Sequence, residues 1–373
     1  MKAWEFAGRV SCILYWKHTR YTIANGRSMT SPAALKAACL AANAERLGCG
    51  DLVWLEHINL VVGSREIAEA FYFNGLGFTK DSRKSSTTLW ANVSRFQQLH
   101  LPIAAEGEAP HVVNGTVGIT VCSLDRVVAG CAGIATALSG TEFVARPPLR
   151  LEDGSRSLVI TGPWGNRFVM FEVGDYGTAR AGAPTVSGAT AAVPVMEKRH
   201  AEWDECDMAV RGGPGIRFIE FRSTSPEAAA AFYRGVFGAR TTAISTPELA
   251  AVSVGQGCHF LFTATSAKAG SAAAASIDAG GALAAAERAR IERQRGVHVC
   301  VYASNFEDAF AALHDAGLVR TNPRFAYLDR CDTLAEARAS RQLRFYSVGS
   351  LELEHETRCL RHASYMRPLE FAG

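Results

Sequence analysis

The chain has 373 residues, of which 48% are hydrophobic and 20% charged, and its formal net charge is +3. This length predicts two or three domains, and the composition is typical of a soluble globular protein. The small positive charge, without a basic stripe interleaved with aromatic residues, argues against nucleic acid as a partner. No apolar run approaches the roughly 20 residues that span a bilayer.

The ten cysteines are scattered along the chain and form no C-x-x-C pair. Their spacing excludes a zinc finger. Without a secretory h-region, they are expected to be reduced thiols of an intracellular protein, most of them small buried hydrophobic residues.

Residues 1–50 are basic, contain several hydroxyl side chains and have few acids. This composition fits an organelle transit peptide, and a flexible tail or a start at Met29 is an equal alternative. The expected location is therefore the cytoplasm, or a mitochondrion or plastid if this extension is a transit peptide.

The segment 55–78 predicts a strand followed by a helix. Apolar residues alternate with His57 along the strand, which places this imidazole on the face away from the helix. Helical spacing begins after Ser64, an expected N-cap, and ends at Gly75 and Gly77. Two alternating segments, 87–93 and 97–103, follow as strands, and the expected unit is of the β-α-β-β-β type.

This unit recurs along the chain. A Phe-Tyr pair occupies 71–72 and again 232–233, and the offset of 232 − 71 = 161 aligns Phe218 with His57. The four units begin with the strands near residues 55, 115, 216 and 296.

The composition between the units predicts the domain boundaries. The expected organisation is an N-terminal extension (1–50), a first two-unit domain (51–176), an Ala- and Gly-rich linker (177–212), a second two-unit domain (213–360) and a tail (361–373). Insertions at 264–295 and 329–341, the second with a helix-like pattern, are expected at the rim of the site, where they could cover it or bind a partner.

Four such units, with a histidine on a first strand and an acid on a last strand, resemble the vicinal-oxygen-chelate superfamily. This superfamily includes glyoxalases, extradiol dioxygenases and bleomycin-resistance proteins. The resemblance covers residues 52 to about 358 and is most specific in 55–62 with Phe71-Tyr72, in the hairpin 162–172 and in 296–301. It implies an α+β fold in which four modules pair into two domains with cup-shaped mixed sheets.

The resemblance also implies that first and last strands hold a metal ion. In the first pair of units the corner residues are His57, His100, Thr116 and Glu172. In the second pair they are Phe218, His259, His298 and Glu354, with Glu352 as an alternative acid. Each half thus retains two imidazoles and one carboxylate, which suits a divalent Fe, Mn, Ni or Zn ion with open positions.

The function that this implies is a metal-dependent enzyme acting on a small molecule with vicinal oxygens. The ion would act as a Lewis acid in a lyase or isomerase, or would bind dioxygen beside a catecholate in a ring-cleaving dioxygenase. Glu172 or Glu354, if displaced from the metal, would move the proton.

Two other classes of function stay open. A metal-free protein that binds or sequesters a small molecule, of the bleomycin-resistance type, is favoured by Thr116 and Phe218 at ligand corners. A structural or regulatory module would use the insertions to bind a partner. A small molecule is the expected partner in the first two cases, a homodimer is left open, and neither nucleic acid nor membrane is expected.

Overall fold

The computed structural model describes a subset of the chain. The described residues are 21–22, 28–29, 50–94, 97–150, 156–172, 215–239, 241–255, 258–264, 296–348, 351–359 and 362. Most of the predicted extension 1–50, the linker 177–212, the insertion beyond Ala264 and the tail apart from His362 lie outside the described residues. The expectations about a transit peptide and the linker therefore stay predictions.

The first unit contains the predicted strand, helix and further strands. A separate pair, β1 (Tyr21–Thr22) and β2 (Ser28–Met29), precedes it. The strands of the unit are β3 (Leu52–Asn59), β4 (Thr79–Lys80), β5 (Thr88–Ser94) and β6 (Gln97–Pro102). Helix α1 (Arg65–Ala68) begins at Ser64, whose hydroxyl accepts from the Ile67 N–H, so the predicted N-cap is confirmed.

Helix α1 continues as a π-helix over Glu69–Gly75, which the sequence did not predict. In this wider turn the adjacent Phe71 and Tyr72 are both buried. In the equivalent α-helix of the third unit only Tyr233 of the Phe-Tyr pair is fully buried, and Phe232 is half-buried. The π-turn therefore brings two neighbouring aromatic side chains into the core.

The other three units also begin with a strand and a helix, but in the described residues of the fourth unit a second helix and only two strands follow. The second contains β7 (Gly115–Val121), α2 (Leu124–Ile134), β8 (Val144–Ala145), β9 (Leu149–Arg150), β10 (Arg156–Thr161) and β11 (Arg167–Glu172). The third contains β12 (Gly215–Ser223), α3 (Pro226–Phe237), β13 (Thr241–Thr246), β14 (Leu249–Ser253) and β15 (His259–Ala264). The fourth contains β16 (His298–Ala303), α4 (Phe306–Asp315), α5 (Leu334–Ser340), β17 (Gln342–Val348) and β18 (Leu351–Cys359). The predicted hairpins and the helix within 329–341 are confirmed.

Each sheet combines two units, the first with the fourth and the second with the third. The strand order β17-β18-β16-β3-β6-β5-β4 forms a seven-stranded mixed sheet from units four and one. The order β13-β14-β15-β12-β7-β11-β10-β8, with β9 beside β10, forms a nine-stranded sheet from units three and two. Strand β16 lies antiparallel to β3, and β12 lies antiparallel to β7. The α+β fold with two mixed sheets is therefore as expected, but each sheet takes one unit from each half of the sequence.

One face of each sheet carries the hydrophobic core. Alternate residues of the strands, such as Val117 and Ile119 on β7 or Val299 and Val301 on β16, pack with the helices in one buried cluster. We call the opposite face of the seven-stranded sheet the polar face, because its buried residues are charged or polar. Within the described residues, none of the helices combines the length and apolar character that a bilayer crossing needs.

Candidate metal centre

A β-bulge in β3 brings two adjacent side chains to the polar face. Cys300 of β16 lies opposite His57, but the next residue, Val301, lies opposite Leu55, so Glu56 is an extra residue in β3. In a bulge of this kind two residues of one strand oppose one residue of the other. Glu56 and His57 therefore project from the same face, although simple alternation would separate them.

Three side chains from three strands converge beside this bulge. His57 on β3, His298 on β16 and Glu356 on β18 each offer one ligand atom, and the three atoms lie within 4.8 Å of one another. Glu356 Oε2 is 3.9 Å from His57 Nε2 and 3.7 Å from His298 Nε2. Bonds from zinc to imidazole or carboxylate are about 2 Å long, so ligand atoms of one ion lie about 3–4 Å apart. The two distances to Glu356 Oε2 thus match the spacing of ligands of one ion.

His100 on β6 joins this group as a third imidazole. Its ring stacks on His57 with 3.7 Å between centroids and 17° between planes. Its Nε2 lies 3.1 Å from Gln98 Oε1. Burial, and then the neighbouring His57, lowers the pKa of His100, while burial and the Arg344 guanidinium lower that of His298. Both imidazoles are therefore neutral near pH 7, which is the form that binds metals.

Glu356 is held by two arginines. Arg358 Nη2 lies 2.5 Å from its Oε1 and Arg344 Nη2 lies 2.7 Å from its Oε2. Burial raises the pKa of Glu356, but the Arg358 and Arg344 guanidinium groups outweigh burial and hold this pKa well below its usual value. Glu356 is consequently an ionised carboxylate although it is only 3% exposed.

A second carboxylate lies on the other side of His57. Glu56 Oε1 is 3.3 Å from His57 Nδ1 and accepts a hydrogen bond from Arg358 Nη1 at 2.6 Å. Glu56 Oε2 accepts from the Tyr302 hydroxyl at 2.7 Å. The Cys300 thiol donates to Glu356 Oε1 at 3.6 Å, and burial raises its pKa well above the usual value, so it is a protonated thiol.

The segment 319–333, which we call the rim segment, joins α4 to α5 and covers part of the polar face. Asn322 donates to both oxygens of Glu354, at 2.9 and 3.0 Å, and Arg344 Nη1 donates to Glu354 Oε1 at 2.9 Å. Phe325 lies over the Arg344 guanidinium, 4.6 Å from its carbon, and edge-on to His298. The rim segment therefore closes the polar face above Arg344 and beside His298.

These residues fit a divalent cation on two observations. The Nε2 atom of His57 is buried and has no hydrogen-bond partner, although it points to the side of Glu356 and His298. Among the described residues of the cluster, two buried guanidinium groups face four carboxylates. This is a formal excess of two negative charges before any histidine is counted, and burial raises the pKa of one of these acids, Asp329. The carboxylates are Glu56, Asp329, Glu354 and Glu356. A divalent ion held by His57, His298 and Glu356, with His100 adjacent, would neutralise this excess.

The structure separates Glu172 from the histidines with which the sequence grouped it. Glu172 ends β11 in the nine-stranded sheet, opposite Val121, and its Oε2 is 3.0 Å from Arg156 Nη2 at a half-exposed position. It shares its side of the strand with Phe168 and Met170, which belong to the core cluster. The grouping of Glu172 with His57 and His100 is corrected because their units lie in different sheets.

His259 is separated from His298 for the same reason. His259 lies on β15 opposite Phe218, and in the other sheet Gln98 lies opposite His57. His259 is therefore equivalent in position to Gln98. The residue equivalent to His100 is therefore Leu261, and the expected match of His259 with His100 is corrected by two residues. Burial lowers the pKa of His259 to about 4. Phe218 is fully buried and packs on Gly118, so a phenyl ring occupies the position that His57 has in the other sheet.

His57, His100 and His298 lie together, but the acid beside them is Glu356, which the sequence did not single out. Glu354, the predicted acid, lies on the same face and is bonded to Arg344 and Asn322. Alternation along β18 places Glu354, Glu356 and Arg358 on one face, so the signal for Glu356 was present in the pattern. The strand register places Glu354 opposite His298, and it places Glu356 opposite Cys300, which in turn lies opposite His57.

The chain is similar to several solved structures at low sequence identity. No protein-family model and no curated protein matches the chain. Glyoxalase I from Zea mays is similar in structure, with 10% identity over 82% of this chain and 92% of that chain and a TM-score of 0.47. A glyoxalase/bleomycin resistance protein/dioxygenase superfamily member from Sphaerobacter thermophilus is 21% identical over 32% of this chain and 97% of that chain, with a TM-score of 0.24. A lactoylglutathione lyase from Agrobacterium tumefaciens is 19% identical over 32% of this chain and 92% of that chain, with a TM-score of 0.24.

Proposed function

We propose that this protein is a divalent-metal-dependent enzyme that acts on a small molecule with two adjacent oxygens. The observation that carries the proposal is the buried convergence of His57, His298 and Glu356, with the unpartnered Nε2 of His57 among them. His100 lies beside the proposed centre, with its ring stacked on that of His57 and its Nε2 3.1 Å from Gln98 Oε1. When bound, the ion would supply Lewis-acid polarisation of two neighbouring substrate oxygens.

Side chains around the proposed centre would accept a proton from the substrate and exclude water from it. Glu354 is the proposed proton acceptor, since Asn322 and Arg344 fix its oxygens beside the centre without engaging an imidazole. Phe325 and Trp90, which lie edge-on to His298 and His100, would exclude water from a bound substrate. The resemblance implies either isomerase or lyase chemistry or ring cleavage by a dioxygenase. A proton acceptor at Glu354 suits isomerase or lyase chemistry better than it suits ring cleavage.

A metal-free binding protein is the second candidate function. The observation that favours it is that both oxygens of Glu356 are engaged by Arg344 and Arg358, so a metal ion would have to share or displace an ion pair. In that case the polar face would bind a cationic or strongly polar small molecule directly.

The metal content of the purified protein separates the two candidates. After incubation with Fe²⁺, Mn²⁺, Ni²⁺, Co²⁺ or Zn²⁺ and gel filtration, we expect one tightly held ion per chain by elemental mass spectrometry. His57→Ala and His298→Ala should each lose it. His259→Ala is the matched control, because it removes a buried imidazole from the other sheet, and it should keep the ion. If the wild-type protein retains none of these ions, the proposal of a metal-dependent enzyme is wrong and the metal-free binding protein is the candidate that stands.

A further inference from the structure

We propose that Glu56 is a positioning residue for His57. Its carboxylate holds the Nδ1–H of the imidazole and so directs the Nε2 lone pair toward His298 and Glu356. The inference rests on the proposed function, because it concerns how the chain prepares His57 to bind a metal ion. On this inference, the bulge of β3 places a metal ligand, His57, and the group that orients it, Glu56, side by side on the polar face.

The first support is the way in which Glu56 is itself fixed. Its side chain is 2% exposed, with Oε1 accepting from Arg358 Nη1 at 2.6 Å and Oε2 accepting from the Tyr302 hydroxyl at 2.7 Å. Both oxygens are thus held by donors from two other strands. A carboxylate fixed at both oxygens gives the imidazole, 3.3 Å away, a single direction in which to donate.

The second support is the state of the two ring nitrogens of His57. Nδ1 faces a carboxylate, which accepts hydrogen bonds and cannot donate when ionised. Nε2 is buried without a hydrogen-bond partner. The pairing of Nδ1 with Glu56 favours the tautomer with the proton on Nδ1, which leaves a lone pair on Nε2 for a metal ion. A carboxylate on the outer nitrogen of a ligating histidine is the usual arrangement around protein-bound metals.

The third support comes from the repeat within the chain. Strand β12 has a bulge at the equivalent place, since Ile216 pairs with Ile119 and Phe218 pairs with Gly118, so Arg217 is the extra residue. The offset of 161 aligns Arg217 with Glu56 and Phe218 with His57. At the bulge of β12, Phe218 stands in place of the imidazole and Arg217 stands in place of the carboxylate. The carboxylate therefore accompanies the imidazole, and the bulge alone does not require it.

A purely structural role for Glu56 would be to neutralise Arg358. Arg358 has another carboxylate partner, because its Nη2 lies 2.5 Å from Glu356 Oε1, and its Nε donates to Gln342 at 3.3 Å. In that role a change at Glu56 would leave the proton position on His57 unaltered. The position of that proton consequently distinguishes a positioning role from a structural one.

The experiment compares three full-length proteins, the wild type, Glu56→Gln and Glu354→Gln. Glu56→Gln keeps the size of the side chain, but its amide can present either an acceptor or a donor to Nδ1. Glu354→Gln is the matched control, since it removes one buried charge from the same face without contacting an imidazole. The ¹⁵N shifts of histidine-labelled, metal-free protein report the tautomer of His57, whose signals are assigned by their absence from His57→Ala. Titration with Co²⁺ then measures the affinity of each protein.

We expect one tautomer, with the proton on Nδ1, in the wild type and in Glu354→Gln, and a mixture of tautomers in Glu56→Gln. The Co²⁺ affinity of Glu56→Gln should fall about 10–100-fold, the range found for outer-shell partners, and further than that of Glu354→Gln. A wild-type proton on Nε2, or an unaltered tautomer in Glu56→Gln, would overturn the inference. Absence of Co²⁺ binding by the wild type would instead overturn the proposed function, and the tautomer would still test Glu56. If Glu56→Gln does not fold, Tyr302→Phe frees Oε2 without a change of charge and should also give a tautomer mixture; a fixed tautomer there would count against the inference.

Discussion

Phe218 packs its ring against Gly118 in the second sheet, at the place where His57 lies opposite Cys300 in the first sheet. The two positions share a bulge, a burial level and a strand pairing, but one side chain can bind a metal ion and the other cannot. Glycine at 118 is required by this arrangement, because a Cβ there would overlap the Phe218 ring. The proposed centre therefore lies in the seven-stranded sheet, because His57 there is replaced by Phe218 in the nine-stranded sheet.

We expect Gly118→Ala to destabilise the protein by about 1–3 kcal/mol, because the new methyl group overpacks the site of Phe218. The free energy of unfolding, measured by urea denaturation, checks this. Gly133→Ala is the matched control, since a Cβ at Gly133 in α2 meets nothing within 4 Å. Replacement of a helical glycine there should stabilise by roughly 0.5–1 kcal/mol. If Gly118→Ala were as stable as the wild type, Phe218 would not fill this position as described.

At the scale of elements, several contacts attach the rim segment to the sheet, including the Val319–Phe345 bridge and the hydrogen bond from Asn322 to the Tyr346 hydroxyl. The Arg344 side chain takes part in three more. Arg344 of β17 bonds to Asp329 in this segment at 3.1 Å, stacks under Phe325, and shares Glu354 with Asn322. The guanidinium group is 3% exposed, so these contacts are shielded from water. Loss of a buried ion-pair partner leaves uncompensated charge, which is costly.

We therefore expect Arg344→Met to destabilise the protein by about 3–5 kcal/mol and to release the rim segment. Urea denaturation measures the first effect, and faster backbone hydrogen exchange across 319–333 measures the second. The control is Arg338→Met, which removes an ion pair with Glu307 that is half-exposed on both sides. That change should leave the free energy of unfolding close to that of the wild type, because exposed ion pairs contribute little to stability. Unaltered exchange of the rim segment in Arg344→Met would show that other contacts hold it.

The elements themselves could be predicted from the sequence, and their register could not. Apolar alternation and the Ser64 cap correctly predicted β3 and α1, and the hairpins of the later units followed from their turns. The bulge at Glu56 depends on hydrogen bonds to β16, about 240 residues away, so no local pattern reports it. This is why local alternation did not place Glu56 beside His57 on the polar face.

At the scale of the whole molecule, the sequence predicts four units but does not specify which units share a sheet. Two consecutive units in one domain is the simpler expectation, and it grouped His57 and His100 with Glu172. Pairing of the first unit with the fourth instead places His298 and Glu356 beside His57 and His100. The proposed centre is thus a property of the complete chain, since neither half holds its ligands alone.

The connection between the sheets also depends on units distant in sequence. Gln97 of β6 donates to the Leu55 carbonyl at 3.2 Å and accepts from the Ile216 N–H at 2.8 Å, so one buried amide links β3 and β12. Two backbone groups in different sheets are satisfied by this side chain. The seven-stranded sheet and the nine-stranded sheet are therefore coupled directly beside the strand that carries His57.

The central claim is that one metal ion is bound between the first and fourth units, and anomalous X-ray diffraction from crystals grown with Co²⁺ or Zn²⁺ tests it directly. We expect a single strong anomalous peak about 2 Å from His57 Nε2, His298 Nε2 and Glu356 Oε2, the usual length of such bonds. A peak beside Glu172 or His259, within one half of the chain, or crystals with no ordered ion on the polar face, would contradict the claim.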